Sequence, residues 1–217
     1  MIGASDKSWL IAQRGPLLLS ERDFRLLSMG KSIYYLPGHG GHIHTGLGEE
    51  LTRRGLNVVG RETVGDFRRL PFQEQIELVA DDLKTLVWRE GDQVICNSFG
   101  CYLFLHAQTL LPSYVGRVLL LSPIVGQFSD DENSGLGFIP PRAERLSELA
   151  ESGTYPVPRH CEIHVGELDW QSNPTNVRKF AGPLGIKVTV VPQGGHMLGK
   201  NYVADLLDRW LSESESE

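Results

Sequence analysis

From residue 32 onward, short apolar runs alternate with longer amphipathic stretches. Ser32 to Leu36 reads as a buried strand, followed by the glycine-rich loop Pro37-Gly38-His39-Gly40-Gly41. A helix is expected from about Thr45 to Arg54, stopped by Gly55, and Leu56 to Val59 reads as the next strand. Pro71 opens a long helical pattern in which Ile76, Val79, Leu83, Leu86 and Val87 recur at helical spacing, with Gly91 ending it. Val94 to Asn97 reads as a strand, Phe99 to Leu111 as a helix closed by Pro112, and Arg117 to Leu121 as a further strand. Glu162 to Val165 and the valine-rich Ile186 to Val191 read as the last two strands. Pro174 to Phe180 and Tyr202 to Leu211 read as the helices that follow them.

Strands alternating with helices predict an α/β domain, a mostly parallel sheet flanked by helices and joined by right-handed crossovers. In such sheets ligands collect beyond the carboxyl ends of the strands. One segment breaks the alternation. Gln127 to Arg159 carries acids, glycines and prolines, with a helix-like stretch from Arg142 to Ala150. Because it leaves a strand's carboxyl end, residues 127–159 are expected to form a short lid over the site. Trp9-Leu10-Ile11-Ala12 and Leu17-Leu18-Leu19 read as strands or helix fragments. Residues 1–217 show no internal repeat or linker and are expected to form a single domain. The polar, acidic end, residues 212–217, is expected to be a disordered tail.

Composition narrows the function. The 217 residues are 41% hydrophobic and 22% charged, an ordinary globular balance. The formal net charge of -6 gives no pull toward nucleic acid. The three cysteines, Cys96, Cys101 and Cys161, are too few for a disulfide framework and fit a reducing compartment. Apolar runs such as Val118 to Leu121 are too short to span a bilayer. No basic stretch followed by a long apolar one opens the chain. No secretory leader or membrane insertion is therefore expected, and the expected location is cytoplasmic.

The chemistry concentrates where strands end. Ser98 lies in Ile95-Cys96-Asn97-Ser98-Phe99-Gly100, between a strand and a helix. A serine hydroxyl is a poor nucleophile until a base takes its proton and amide N–H groups await the oxyanion. The stretch approximates a Gly-x-Ser-x-Gly elbow, with Cys96 where the first glycine usually stands. A serine at a helix start also serves as an N-cap. Asp169 lies in Gly166-Glu167-Leu168-Asp169-Trp170, just past one strand. His196 lies in Gln193-Gly194-Gly195-His196-Met197, just past the last.

Serine, aspartate and histidine in that order, each in a loop after a strand, resemble the triad of the α/β-hydrolases. The resemblance covers Lys31 to about Leu211. It implies Ser98 as nucleophile, His196 as general base and Asp169 as the acid that orients the imidazole. Glu167, two residues nearer the strand, is the rival acid, and Asp130 and Asp131 are weaker candidates. The resemblance also implies an oxyanion hole from the backbone amides of Phe99 and His39. The loop Pro37-Gly38-His39-Gly40 is similar to the family's His-Gly-x-Gly loop, with Pro37 replacing the histidine.

Gly38, Gly40, Trp170 and Met197 are expected to line the substrate pocket. The spacing of His39, His42 and His44 matches no common zinc pattern, and the loop lacks the lysine of a phosphate-binding loop, so no metal and no organic cofactor are expected. The expected activity is hydrolysis of a carboxylic ester or thioester of a small molecule through an acyl-enzyme. The alternatives are acyl transfer with the same triad, or a non-catalytic binding protein on a hydrolase fold.

Overall fold

Alternate residues of the central strands are apolar on both sides, which buries the sheet between two helical layers. The computed structural model describes residues 32–126 and 141–213. The two apolar runs before residue 20, positions 127–140 of the expected lid, and positions 214–217 of the expected tail lie outside the described residues.

The strands are β1 (Ser32–Leu36), β2 (Asn57–Gly60), β3 (Gln93–Asn97), β4 (Arg117–Leu121), β5 (His160–Gly166) and β6 (Lys187–Val191). The helices are α1 (Leu47–Arg53), α2 (Gly65–Arg69), α3 (Phe72–Leu86), α4 (Phe99–Gln108), α5 (Ala143–Glu151), α6 (Pro174–Ala181) and α7 (Lys200–Glu213). The sheet order is β2-β1-β3-β4-β5-β6. Every neighbouring pair is parallel. The expected α/β architecture is therefore the observed one, and all six strands end on one edge.

One face of the sheet presents Tyr34, Leu36, Val94, Cys96, Val118 and Leu120 to a large core shared with α3, α4, α5 and α6. The other presents Ile33, Tyr35, Ile95, Leu119 and Leu121 to Leu51 of α1 and to Leu206, Leu207 and Trp210 of α7. Full burial of a side chain of this size contributes about 1.5–3 kcal/mol. Register is therefore strongly specified, since a slip of one residue would swap the two faces. Helix α4 is buried along its whole length, so the helix that follows Ser98 has packing on every side.

Helix α2 opens at Gly65, which has φ 56°, and had no signal in the hydrophobic period because none of its residues is buried. Helix α3 stops at Leu86, before Gly91, because Val87 turns to φ -145°. The acidic tail was expected from residue 212, yet α7 continues through Ser212 and Glu213. The Arg117 guanidinium holds Glu213 at 3.0 Å and donates to the Trp210 carbonyl at 2.7 Å. The Ser212 hydroxyl donates to the Arg209 carbonyl at 2.8 Å.

The described part of the expected lid, residues 141–159, is fastened to the helical layer. Leu146, Ala150 and Tyr155 enter the main core. The Tyr102 hydroxyl donates to the Pro141 carbonyl at 2.6 Å, and the Tyr155 hydroxyl to the Leu105 carbonyl at 3.0 Å.

Candidate active site

Ser98 is the single residue between β3 and α4, with φ 51° and ψ -115°. A side-chain-bearing residue at positive φ is strained and persists only where its surroundings hold it. Here the Ser98 amide donates to the Leu121 carbonyl at 2.9 Å, and its carbonyl accepts from the Cys101 amide at 3.0 Å. The N-cap role suggested by its position is not taken up, because the hydroxyl caps nothing in α4. Instead Oγ lies 2.8 Å from His196 Nε2. Two residues on, a Cβ at Gly100 would fall against the carbonyl oxygens of Leu36 and Pro37, so only glycine fits. Cys96 faces no such crowding. It is fully buried in the main core, with burial pushing its thiol well up. The Asn97 side-chain amide sits 3.6 Å from a Cβ built on Gly38.

The loop after β6 carries His196, and the loop after β5 carries Asp169. His196 Nδ1 is 3.0 Å from both Asp169 carboxylate oxygens. The Asp169 side chain has 0% exposure, against 17% for His196. Oδ1 of Asp169 also accepts from the amides of Gln171 at 3.0 Å and Ser172 at 2.9 Å. A carboxylate offers only acceptors, so Nδ1 carries the imidazole proton. That leaves the Nε2 lone pair to accept from the Ser98 hydroxyl.

Glu167 is engaged elsewhere. Its Oε2 accepts from the Gln193 amide at 2.9 Å and lies 3.4 Å from Gln193 Nε2. It thereby ties the acid loop to the base of the histidine loop. The two loops also touch through backbone, because a Cβ at Gly166 would fall against the carbonyls of Gly194 and Gly195.

The Pro37–Gly41 loop runs beside the serine, with a Cβ built on Gly38 lying 3.4 Å from Ser98 Cβ. The Gly41 amide donates to the Gly38 carbonyl at 2.9 Å and to Thr63 Oγ1 at 2.9 Å. The Gly40 amide donates to the Thr63 carbonyl at 3.3 Å. The Thr63 hydroxyl in turn donates to the Gly38 carbonyl. Fully buried Thr63 is thus the prop of this loop. Sequence reasoning missed it, since a lone threonine past a strand carries no periodic signal. The exposed His39 ring meets the Phe99 ring edge-on at 5.6 Å. Partial burial first, then Arg68, lowers its pKa. His42 pairs with Glu62 at 3.1 Å. Among the described residues no group of three His, Cys, Asp or Glu side chains is placed to hold a metal ion.

The four residues expected to line a common pocket do not share the cavity found beside the acid loop. That cavity, of about 490 Å³, is lined by Trp170 together with Glu167, Leu168, Asp169, Asn173 and Arg178, among others; Gly38, Gly40 and Met197 take no part in it. With Asp169 turned inward, its neighbours Leu168 and Trp170 turn out, 61% and 43% exposed, as is Met197 at 79%.

Solved structures sharing this architecture are numerous. The ydeN gene product of Bacillus subtilis aligns with 84% of this chain and 99% of its own, at 15% identity and TM-score 0.60. Est1E of Butyrivibrio proteoclasticus aligns over 87% and 89%, at 15% identity and TM-score 0.60. A monoacylglycerol lipase of Paleococcus ferrophilus aligns over 84% and 94%, at 14% identity and TM-score 0.58. The fold is that of the α/β-hydrolases. No protein-family model and no curated protein sequence matches the chain. On this α/β-hydrolase fold, Ser98, Asp169 and His196 come from the ends of β3, β5 and β6 and meet at hydrogen-bonding distance. No described helix is long and apolar enough to cross a membrane.

Proposed function

We propose that the protein is a serine hydrolase that cleaves a carboxylic ester or thioester of a small molecule through an acyl-enzyme. The carrying observation is the continuous array from the Ser98 hydroxyl through His196 to the sealed Asp169 carboxylate, with distances of 2.8 and 3.0 Å. The fold it shares with solved structures named as a carboxylesterase and a monoacylglycerol lipase agrees with this reading.

In the proposed reaction Ser98 Oγ attacks the acyl carbonyl carbon as its proton passes to His196 Nε2. The carbonyl oxygen takes the developing negative charge and is met by the backbone amides of Phe99 and His39. The tetrahedral adduct then collapses. The bond to the leaving alcohol or thiol breaks, and His196 returns the proton to that group. Water next attacks the Ser98 ester, His196 takes its proton, and the acid leaves with Oγ–H restored. Asp169 keeps Nδ1 protonated and stabilises the imidazolium that forms twice per cycle.

Fluorophosphonate labelling of wild type against Ser98→Ala tests the reading. The expected result is a single label on Ser98 that the variant lacks, together with loss of p-nitrophenyl ester turnover. A folded wild-type protein that takes no label would overturn it.

A further inference from the structure

We propose that Ser122 is the positioning residue that sets His196 in line with Ser98 and Asp169. The inference rests on the reading of His196 as the base. Ser122 is the first residue after β4, the strand between the nucleophile strand β3 and the acid strand β5. It is 1% exposed and has φ 47°. Three hydrogen bonds hold it in that left-handed conformation. Its amide donates to the His164 carbonyl of β5 at 2.8 Å. Its hydroxyl donates to the His196 carbonyl at 2.8 Å. Its carbonyl accepts from the Ser172 hydroxyl at 2.5 Å.

Each bond leads to a different part of the site. Ser172 also donates its amide to Asp169 Oδ1 at 2.9 Å, so the acid loop is tied to Ser122 through one residue. Leu121, the residue before it, receives the Ser98 amide at 2.9 Å. The serine, acid and histidine loops therefore converge on the Leu121-Ser122 segment. The hydroxyl is what the histidine loop uses. Glycine adopts this backbone conformation without steric cost, so a turn alone does not require serine here. His196 otherwise follows two glycines and precedes the exposed Met197, and the Ser122 bond grips the base's own peptide unit.

The test compares wild type with Ser122→Gly, which keeps the turn and removes the hydroxyl, and with Ser122→Ala. Two quantities are read: kcat and KM on p-nitrophenyl butyrate, and the far-downfield proton resonance of His196 Nδ1–H. The expected result is a kcat lower by roughly 10- to 100-fold with KM within about twofold, since a small misplacement of a reacting group is costly. The resonance should broaden or vanish while the melting temperature stays close to wild type. A merely structural serine would lower the melting temperature and leave both the resonance and the kcat of the folded protein unchanged, which overturns the proposal.

If wild type neither labels at Ser98 nor turns over ester, the hydrolase reading fails by itself. The resonance then decides the role of Ser122: loss in Ser122→Gly supports positioning, and retention overturns it. If neither Ser122 variant folds, Ser172→Ala releases the Ser122 carbonyl instead. A kcat drop of about threefold with a weakened resonance supports the proposal, and no change in either overturns it.

Discussion

Two carboxylate–histidine–hydroxyl arrays stand among the described residues, one on the loops past the strand ends and one reaching into the sheet, and the proposed chemistry uses only the first. In the first, Asp169 meets His196 Nδ1 and Nε2 meets the Ser98 hydroxyl at 2.8 Å. In the second, Glu162 Oε2 lies 3.3 Å from His164 Nε2, and Nδ1 lies 2.6 Å from the Tyr202 hydroxyl. The atoms are alike, but the settings differ. His164 sits within β5 beneath α7, its side chain 3% exposed. Its hydroxyl partner is carried by a helix, and its carboxylate is shared with Arg209 at 3.7 Å. His196 sits past a strand end, its carboxylate fully enclosed and its serine on a strained turn beside a loop of glycines. Such an array does chemistry only where its hydroxyl can meet a substrate, and in parallel α/β sheets ligands collect beyond the carboxyl ends of the strands, where Ser98 lies.

The strongest challenge to this contrast is Asp169→Asn. The amide turns the imidazole to the wrong tautomer, so kcat should fall by about ten-thousand-fold. Glu167→Gln, which only weakens a tie between loops, should cost less than about tenfold. Steady-state turnover of p-nitrophenyl butyrate measures both, and the reverse order would transfer the acid role to Glu167.

His106 sharpens the contrast from the other side, as a buried histidine with no carboxylate partner among the described residues. Among those residues its Nε2 has no hydrogen-bond partner either. Burial first, then Arg142 and Arg145, lowers its pKa to about 4. The folded protein thus binds fewer protons here than the unfolded chain between that value and the ordinary 6.5. Stability should fall as pH drops through this window, by about 3 kcal/mol from this residue. His106→Leu should flatten the decline in urea melts at pH 7, 6 and 5, and an unchanged slope would contradict the assignment.

The smallest effects belong to the second array. Tyr202→Phe removes one hydroxyl and should cost about 1 kcal/mol of stability while leaving kcat within about twofold. Glu162 is held below the usual carboxylate range, mainly by its hydrogen bond to His164. Its stabilisation is therefore present above the unfolded pKa and lost as pH falls through the lower folded value. Glu162→Gln should remove that acid-side loss from chemical denaturation curves. A large fall in kcat from either change would mean that the two arrays are coupled.

The strands and the order of the three catalytic candidates were legible because they rest on local signals: apolar runs of strand length, glycines after them, and chemistry at their ends. The sequence also favoured Asp169 over Glu167, and the geometry puts the former against His196 and the latter against Gln193. Thr63 and Ser122 were not legible. Each is tied through its hydroxyl and its main chain to loops distant in sequence, and such contacts leave no period to detect. Trp170 lines the cavity beside the acid loop, whereas Met197 is 79% exposed and takes no part in it. The N-cap reading of Ser98 was reasonable locally and gave way to a partner ninety-eight positions away.

Gly100 lies hard against the carbonyls of Leu36 and Pro37. The spacing between the elbow and the Pro37–Gly41 loop is therefore set by main chain meeting main chain. Neighbouring side chains are then free to change without disturbing it, which is how an elbow can begin with Cys96 and Asn97 and still keep its shape. The gap between Ser98 and the glycine loop is thus a property of the backbone, indifferent to which side chains stand at positions 96 and 97.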